Sequence, residues 1–243
     1  MFSEFLQILP YVLAASAAGI VAGLLPLFWS PGVHARSAIQ HFAAGVVIAA
    51  VASDLIPEVE KIGRPAGILL GFAAGGVFMI GLKWFVVAFE KKEKGKRKLP
   101  IGIAAAAAVD TLVDGVLISA GFSTGQHLGS LLTIALAIEL FFLTLSVGSE
   151  FRKGKTNVWL GVAVTTGIAL LLLVGAFVGF LLFRGFSEPS LAIVLSFGAA
   201  ALIYLIAEEL LVEAIEAEES LFSTATLFAG FLVLLAIKLL TRG

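Results

Sequence analysis

The sequence contains no cysteine and only three histidines among its 243 residues. The absence of cysteine excludes disulfides, thiolate metal sites and cysteine nucleophiles. Charge is also scarce, since 14% of the residues are Asp, Glu, Lys or Arg, and the net charge of -1 offers no general attraction for nucleic acid. The first ten residues carry an acid and no Lys or Arg, which is the wrong sign for a signal peptide. We therefore expect the first apolar segment to be retained as a helix.

Apolar residues are abundant instead, at 60% of the chain with a mean hydropathy of +1.08. Soluble domains are about half apolar and a quarter charged, so the composition predicts a membrane protein. A helix needs about 20 mainly apolar residues to cross a bilayer. No long hydrophilic stretch separates the apolar segments. We therefore predict an all-α polytopic membrane protein in which residues 1–243 form one integral-membrane transporter domain. The eight predicted spans are 6–29, 37–57, 66–90, 101–122, 129–150, 157–183, 190–215 and 221–241.

Loop charge predicts the orientation of these spans. The loops after the first, third and fifth helices lie on one side of the membrane. Together they carry ten Lys or Arg residues, six of them in 91–98, KKEKGKRK. Lys83 lies within the third helix near this basic end, where its side chain can extend to the interface. Lys- and Arg-rich loops remain cytoplasmic, so we expect a plasma-membrane protein with both termini outside the cytoplasm. The opposite side carries five basic residues: Lys61, Arg64, Arg184, Lys238 and Arg242.

The second and seventh predicted helices contain related sequences. FAAGVVIAAVASDLIPE at 42–58 aligns without gaps to FGAAALIYLIAEELLVE at 197–213, an offset of 155 residues with six identities. The alignment places Asp54 opposite Glu209. Because the orientation makes the first copy run outward and the second inward, we expect an inverted repeat, a transporter architecture. Helices one to three would then be related to helices six to eight, around helices four and five.

Two carboxylates lie near the middle of the fourth predicted helix, 101–122. Asp110 and Asp114 are four residues apart and therefore share one face. A charge at the centre of a bilayer costs from about 3 to well over 10 kcal/mol, so such residues indicate an ion, a proton or water beside them. Thr111 on the adjoining face can add a hydroxyl ligand. The alternative is that the acids are protonated and hydrogen-bonded to other helices.

Glu139 lies midway along the fifth predicted helix. The short connection STGQHLG makes the fourth and fifth helices antiparallel neighbours, so we expect Glu139 at the depth of Asp110 and Asp114. Three carboxylates without His or Cys ligands form an all-oxygen cation site that favours Mn²⁺, Mg²⁺, Ca²⁺ or Fe²⁺ over Zn²⁺.

Further acids lie at the ends of the repeated helices. Asp54 is at the outer end of the second helix, where it is either a solvated helix end or part of an entry funnel. Glu208 and Glu209 are near the inner end of the seventh helix, followed by an acidic run at 213–219 that can attract departing cations or be simply solvated. We include Asp54, Glu208 and Glu209 as candidate residues of a transport pathway.

An enzymatic function is not expected. Intramembrane aspartyl proteases use aspartates on two different helices, whereas Asp110 and Asp114 share one. No serine lies in a nucleophile motif with a partner histidine.

The motif-bearing stretches resemble the ZIP (Zrt/Irt-like) family of metal transporters over nearly the whole chain. Residues 42–58 are similar to its Phe-x-x-Gly…His-Leu-Leu-Pro-Glu signature, with Asp54 at the usual histidine. DTLVDG at 110–115 resembles the fourth-helix motif His-Asn-x-x-Glu/Asp-Gly, and AIELFF at 137–142 the fifth-helix motif His-Glu-x-Pro-Glu/His. ALIYLIAEELLVEA at 201–214 is similar to the seventh-helix stretch. The eight helices, the outside termini and the long charged loop agree with the family.

The resemblance assigns roles to the central residues and identifies departures from the family pattern. Asp110 stands at the first-site histidine, Thr111 at the adjacent Asn/Ser and Asp114 at the bridging acid, while Glu139 keeps the family's fifth-helix acid. Apolar side chains stand at three usual ligand positions: Ile138, Phe142 and Leu170. About half of the ligands of a binuclear site are therefore missing or changed.

These observations predict a ZIP-like transporter that moves a divalent cation toward the cytoplasm through the reduced site of Asp110, Asp114 and Glu139. The cation is the substrate, with Mn²⁺, Fe²⁺, Zn²⁺, Mg²⁺ and Ca²⁺ not distinguished, and no resident cofactor is expected. The expected partners are the lipid bilayer and the cation, and the Gly-rich faces permit a homodimer without requiring one. The alternatives are a proton or monovalent-cation pathway, and a non-transporting membrane scaffold that has lost its ligands.

Overall fold

A computed structural model describes residues 2–29, 31–92, 101–153, 157–211 and 221–241, and within these ranges the protein is helical without a strand. Eight helices in the described part are long and apolar enough to cross a membrane, as predicted for an integral membrane protein. The helices are α1 (Phe2–Leu24), α2 (Val33–Ala50, continued by Val51–Leu55 and Ile56–Ile62), α3 (Pro65–Lys92), α4 (Ile101–Thr124), α5 (Gln126–Lys153), α6 (Val158–Leu182), α7 (Glu188–Leu205, continued by Ile206–Leu210) and α8 (Leu221–Thr241).

The connection between α4 and α5 is shorter than predicted. Only Gly125 separates the two helices, instead of the seven residues STGQHLG. The hydroxyls of Ser123 and Thr124 donate to the carbonyl oxygens of Ser119 and Ala120, one turn earlier, so these polar residues continue the helix. The predicted end of the seventh helix at 215 and the acidic run at 213–219 lie outside the described residues.

A π-helical turn interrupts both helices that carry the repeated sequence. The turn in α2 is Val51–Leu55 and the turn in α7 is Ile206–Leu210. The two turns lie at the offset of 155 residues that aligns the sequences, so the matching stretches also share an irregular backbone. Short π-helical turns inside α-helices are rare and frequent at functional sites.

The closely packed helix pairs form two matching sets: α2 packs on α8 and α3 on α7, while α1 packs on α5 and α4 on α6. Exchanging helices one to three with six to eight, and α4 with α5, converts each pair into its counterpart. A Cβ built on Gly230 would lie 2.1 Å from the carbonyl oxygen of Phe42, and one on Gly75 would lie 2.4 Å from that of Phe197. Both residue pairs are related by the offset of 155. The inverted orientation itself remains a prediction.

The interior and the periphery of the bundle differ in composition. The central helices α4 and α5 carry eight of the fifteen buried polar or charged residues in the described part of the chain, whereas α3 and α8 expose large apolar side chains, among them Leu70, Trp84, Phe228 and Leu240. An apolar outer surface of this kind suits the hydrocarbon of a bilayer. The fold thus concentrates buried polar side chains on the two central helices.

Candidate metal centre

The three predicted carboxylates meet in the interior of the bundle. Asp110 and Asp114 on α4 and Glu139 on α5 each offer a carboxylate oxygen within 4.8 Å of the other two. Their exposed fractions are 6%, 3% and 1%, so the cluster is enclosed by protein. The structure therefore brings together the side chains that the sequence predicted to lie at one depth.

Helix geometry explains this meeting. Asp114 and Asp110 precede Gly125 by about 17 and 22 Å along the α4 axis, and Glu139 follows Gly125 by about 21 Å along α5. Because Gly125 is the whole connection, antiparallel packing places all three carboxylates at one level. The following Gly115 packs against α6, where an added Cβ would lie 2.3 Å from the carbonyl oxygen of Leu172. This close contact holds α4 against α6.

Thr111 is fully buried beside the cluster. Its hydroxyl donates to the carbonyl oxygen of Ala107, 2.8 Å away on the preceding turn. The hydroxyl hydrogen is therefore committed to the helix, and only the oxygen lone pairs can face a cation. A ligand role for Thr111 remains a prediction.

Three carboxylates in close proximity have two chemical options. When ionised they repel one another strongly in a low-dielectric interior, and a cation between them removes that repulsion. Alternatively, they share protons and remain hydrogen-bonded. With oxygen as the only donor type, the cluster suits hard cations better than soft ones. The arrangement can bind either a divalent cation or protons.

A cavity of about 200 Å³ connects Glu139 with the basic end of the bundle. Gln40, Phe142 and Ser146 line its inner part, and Arg36 and Glu150 form an ion pair of 2.8 Å along its wall. Glu208 also lines it and forms an ion pair with Lys83 of α3. The cavity therefore connects the basic end with the cluster, along a lining that is mostly apolar and includes the polar side chains of Gln40, Ser146 and Glu208.

The opposite end is closed over the carboxylates. A second cavity there has about 470 Å³ and is lined by residues such as Phe122 and Arg184, and none of the three carboxylates lines it. On α4, Leu117 and Ile118 lie between the cluster and this end and are exposed by only 3% and 0%. Of these two cavities, the one at the basic end is therefore the one that reaches the cluster.

The predicted pathway acids lie in two different environments. Glu208 lies on the cavity wall, as described, and Glu209 is in the same π-helical turn. Asp54, expected either as a solvated helix end or in an entry funnel, is only 6% exposed and is therefore not a solvated end. The structure does not place Asp54 in the carboxylate cluster.

The partner of Asp54 is Lys238, which sequence reasoning assigned to the outer interface. The Lys238 ammonium lies 2.8 Å from a carboxylate oxygen of Asp54 and also donates to the carbonyl oxygen of Ser53. Pro57 has no N–H to donate to Ser53, so its ring leaves that carbonyl open to the lysine. The Ser53 hydroxyl donates to the other Asp54 oxygen at 2.7 Å. Lys238 is therefore a buried structural cation.

The apolar residues that the resemblance aligns with ligand positions, Ile138, Phe142 and Leu170, lie in different parts of the structure. Phe142 lines the cavity, and Ile138 packs against the small cluster between α2 and α8 that contains Leu234. Leu170 is 45% exposed, on the outer face of α6, so a side chain at this position points away from the buried side of the helix. That buried side carries Ala169 and Leu172.

Two functional candidates were missed by sequence reasoning. Gln40 lines the cavity with Glu139 and is 2% exposed, although it lies only one turn beyond Arg36 in the sequence. A signal for Lys238 was present, since it is the counterpart of Lys83 at the offset of 155 residues. A basic residue repeated within two apolar helices indicates a paired internal charge.

No protein-family model matches this sequence, and the comparison with curated proteins finds no match either. The functional argument therefore depends on the carboxylate cluster, its cavity and the helix arrangement around them.

Proposed function

We propose that this protein is a ZIP-like transporter that carries a divalent cation across the membrane, toward the cytoplasm, through an all-oxygen site. The observation that supports this most directly is the buried cluster of Asp110, Asp114 and Glu139, with carboxylate oxygens within 4.8 Å of one another. Bringing like charges together inside a membrane protein is costly unless a cation compensates them. A transported divalent cation supplies that compensation.

The cavity supports the route of transport. It joins Glu139 to the basic end, which loop charge predicts to be cytoplasmic, while buried α4 side chains cover the cluster at the other end. This one-sided access corresponds to an inward-open state of an alternating-access cycle. In that cycle the cation binds from outside, becomes enclosed at the carboxylates and leaves past Gln40 and Glu208.

The carboxylate side chains would act together on the cation. Asp114 and Asp110 supply oxygens from successive turns of α4, and Glu139 supplies one from α5. Glu139 is the member of the cluster that also lines the cavity, so it is the one through which the cation would enter or leave on the basic side.

The decisive experiment compares Asp114→Asn with Glu188→Gln. Asn keeps the shape of the side chain but removes one anionic oxygen, whereas Glu188 is an exposed acid at the start of α7 and serves as a matched control. We expect uptake of Mn²⁺, Fe²⁺, Zn²⁺, Mg²⁺ or Ca²⁺ into proteoliposomes to fall at least about 100-fold in Asp114→Asn, since removing a charged partner costs several kcal/mol. Unchanged uptake would refute the proposal.

The oxygen-only cluster also favours a second candidate, a proton pathway. Under this hypothesis, a pH gradient alone drives a current that requires no divalent cation and disappears in Asp114→Asn. Metal analysis of the purified protein separates the two, because only the cation transporter retains stoichiometric metal that the substitution removes. A protein that neither binds metal nor conducts protons would instead be a scaffold.

A further inference from the structure

Two lysine–carboxylate pairs lie at opposite ends of the bundle. Lys238 of α8 binds Asp54 in the π-helical turn of α2, and Lys83 of α3 binds Glu208 in the π-helical turn of α7. Each pair thus joins the interrupted helix of one repeat to the last helix of the other. Lys83 and Lys238 are separated by the same 155 residues as the two turns.

The residues that accept from the two lysines also correspond, with a shift of one position in the alignment of the two repeats. Glu208 is aligned with Ser53, whose carbonyl oxygen also accepts a hydrogen bond from Lys238. Asp54 follows Ser53 directly, so both lysines reach the same point of a π-helical turn. The two contacts are therefore counterparts in the two halves of the chain.

The two ion pairs differ in exposure, and the difference follows which end of the bundle has a cavity that reaches the carboxylate cluster. The side chains of Lys238 and Asp54 are 7% and 3% exposed at the closed end, whereas those of Lys83 and Glu208 are 52% and 43% exposed at the open end. Glu208 lines the cavity that reaches Glu139. A buried pair accompanies the closed side and an exposed pair accompanies the open side.

We propose that Lys238–Asp54 and Lys83–Glu208 are reciprocal gating contacts, each buried when its own end is closed. The inference rests on the proposed transport function and adds two positioning residues, Lys83 and Lys238, that do not bind the cation. In the outward-open state the environments exchange: Lys238–Asp54 becomes solvated and Lys83–Glu208 becomes buried. Loss of one lysine therefore favours the state in which its end is open.

Thiol labelling tests the exchange, because the natural chain has no cysteine to interfere. Ser146→Cys places a thiol on the wall of the open cavity. Leu195→Cys places one at the counterpart of Gln40, a position that is fully buried in this state. Rates of alkylation by a soluble maleimide, measured with a chelator present, report the opening of each end without any requirement for transport.

We expect Lys238→Gln to raise the alkylation rate of the Leu195→Cys variant about tenfold and to lower that of Ser146→Cys, since a shift of one decade in the population ratio changes both. Lys83→Gln should act in the opposite sense and raise labelling of Ser146→Cys. The matched control is Lys61→Gln, which removes an exposed lysine at the closed end and should change neither rate. Changes of the same sign from Lys83→Gln and Lys238→Gln, or no changes, would overturn the proposal.

The double variant Asp54→Asn/Lys238→Gln is the control for a folding defect in Lys238→Gln. It removes both buried charges together, so no unpaired charge is left in the interior. It should retain the increased labelling of Leu195→Cys. A return to the natural rate would show that an unpaired Asp54, and not the loss of a gate, caused the shift. If the lysine variants shift labelling as expected while Asp114→Asn retains cation uptake, the transport hypothesis fails and the conformational gate stands.

Discussion

The protein buries acids in two regions and arranges their surroundings differently. Asp54 in α2 faces an ammonium of its own chain, Lys238, at 2.8 Å. In the centre, Asp110, Asp114 and Glu139 face one another, with oxygens within 4.8 Å. Opposite charges meet in the first region and like charges in the second. The first arrangement is a complete ion pair within the protein, whereas the second suits a cation that binds reversibly.

The surroundings separate these two kinds of buried acid, which burial alone does not. Asp54 at 6% exposure and Asp110 at 6% exposure are equally enclosed. Only the chemistry of the neighbouring groups separates them. The predictions below change one neighbour at a time, in order of the expected size of the effect.

Removing the lysine from the first region should have the largest effect on stability. Lys238→Gln leaves the carboxylate of Asp54 buried without its ammonium, and breaking a buried ion pair in this way costs about 3–5 kcal/mol. We expect a clear fall in the midpoint of thermal unfolding in detergent. Asp54→Asn/Lys238→Gln should recover most of the loss, and a double variant as unstable as Lys238→Gln would contradict this explanation.

Adding a cation to the second region should stabilise the protein by a comparable but smaller amount. A divalent cation at 100 times its dissociation constant contributes about 2.7 kcal/mol through binding to the folded state alone. The melting temperature should rise with metal concentration and fall back with chelator. Asp114→Asn should abolish the rise without lowering the chelator-treated melting temperature, opposite to the effect of substituting Lys238.

The packing of α8 on α2 can be tested separately from the charges of the first region. Gly230→Ala would place a Cβ 2.1 Å from the carbonyl oxygen of Phe42, so α2 and α8 would have to separate, at a cost of about 1–3 kcal/mol. Gly76→Ala is the control, because a Cβ there meets nothing within 4 Å. Equal melting temperatures for the two variants would show that the close contact is unimportant.

An exposed ion pair should give the smallest effect. Lys61 and Glu58 pair at 3.2 Å near the end of α2, with Lys61 largely in solvent. Such surface pairs contribute about 0–1 kcal/mol, so Lys61→Ala should barely alter thermal unfolding. A loss as large as that of Lys238→Gln would remove burial as the explanation for the difference between the two lysines.

The sequence predicted eight apolar helices, which the described part of the structure contains, and it predicted that Asp110, Asp114 and Glu139 lie close together, as they do. Apolar runs of bilayer length are strong signals, and three acids inside them are conspicuous because each one is costly. The depth of Glu139 followed from a short connection, and the actual single-residue connection at Gly125 keeps Glu139 between the levels of Asp110 and Asp114. Helix periodicity and chain length were sufficient for this part of the site.

The sequence did not show which helices that are far apart in the chain pack against each other. Lys238 lay in an apolar helix near a predicted interface, so a solvated position was reasonable until α8 was seen to pack on α2. Likewise, Gln40 gains its place beside Glu139 only through the packing of α2 on α5. Leu170 shows the same limitation, because a motif comparison does not specify the rotation of α6 about its axis.

The one-sided cavity also determines where a membrane voltage would act. In the proposed transport cycle, water filling the cavity would conduct ions, so little of the potential would fall between the basic end and Glu139. Most of it would fall across the layer that contains Leu117 and Ile118. A transported divalent cation that crosses this layer would experience almost the full field, about 4.6 kcal/mol per 100 mV, twice the value for one elementary charge. Exchange of the cation with the basic side would then be nearly independent of voltage.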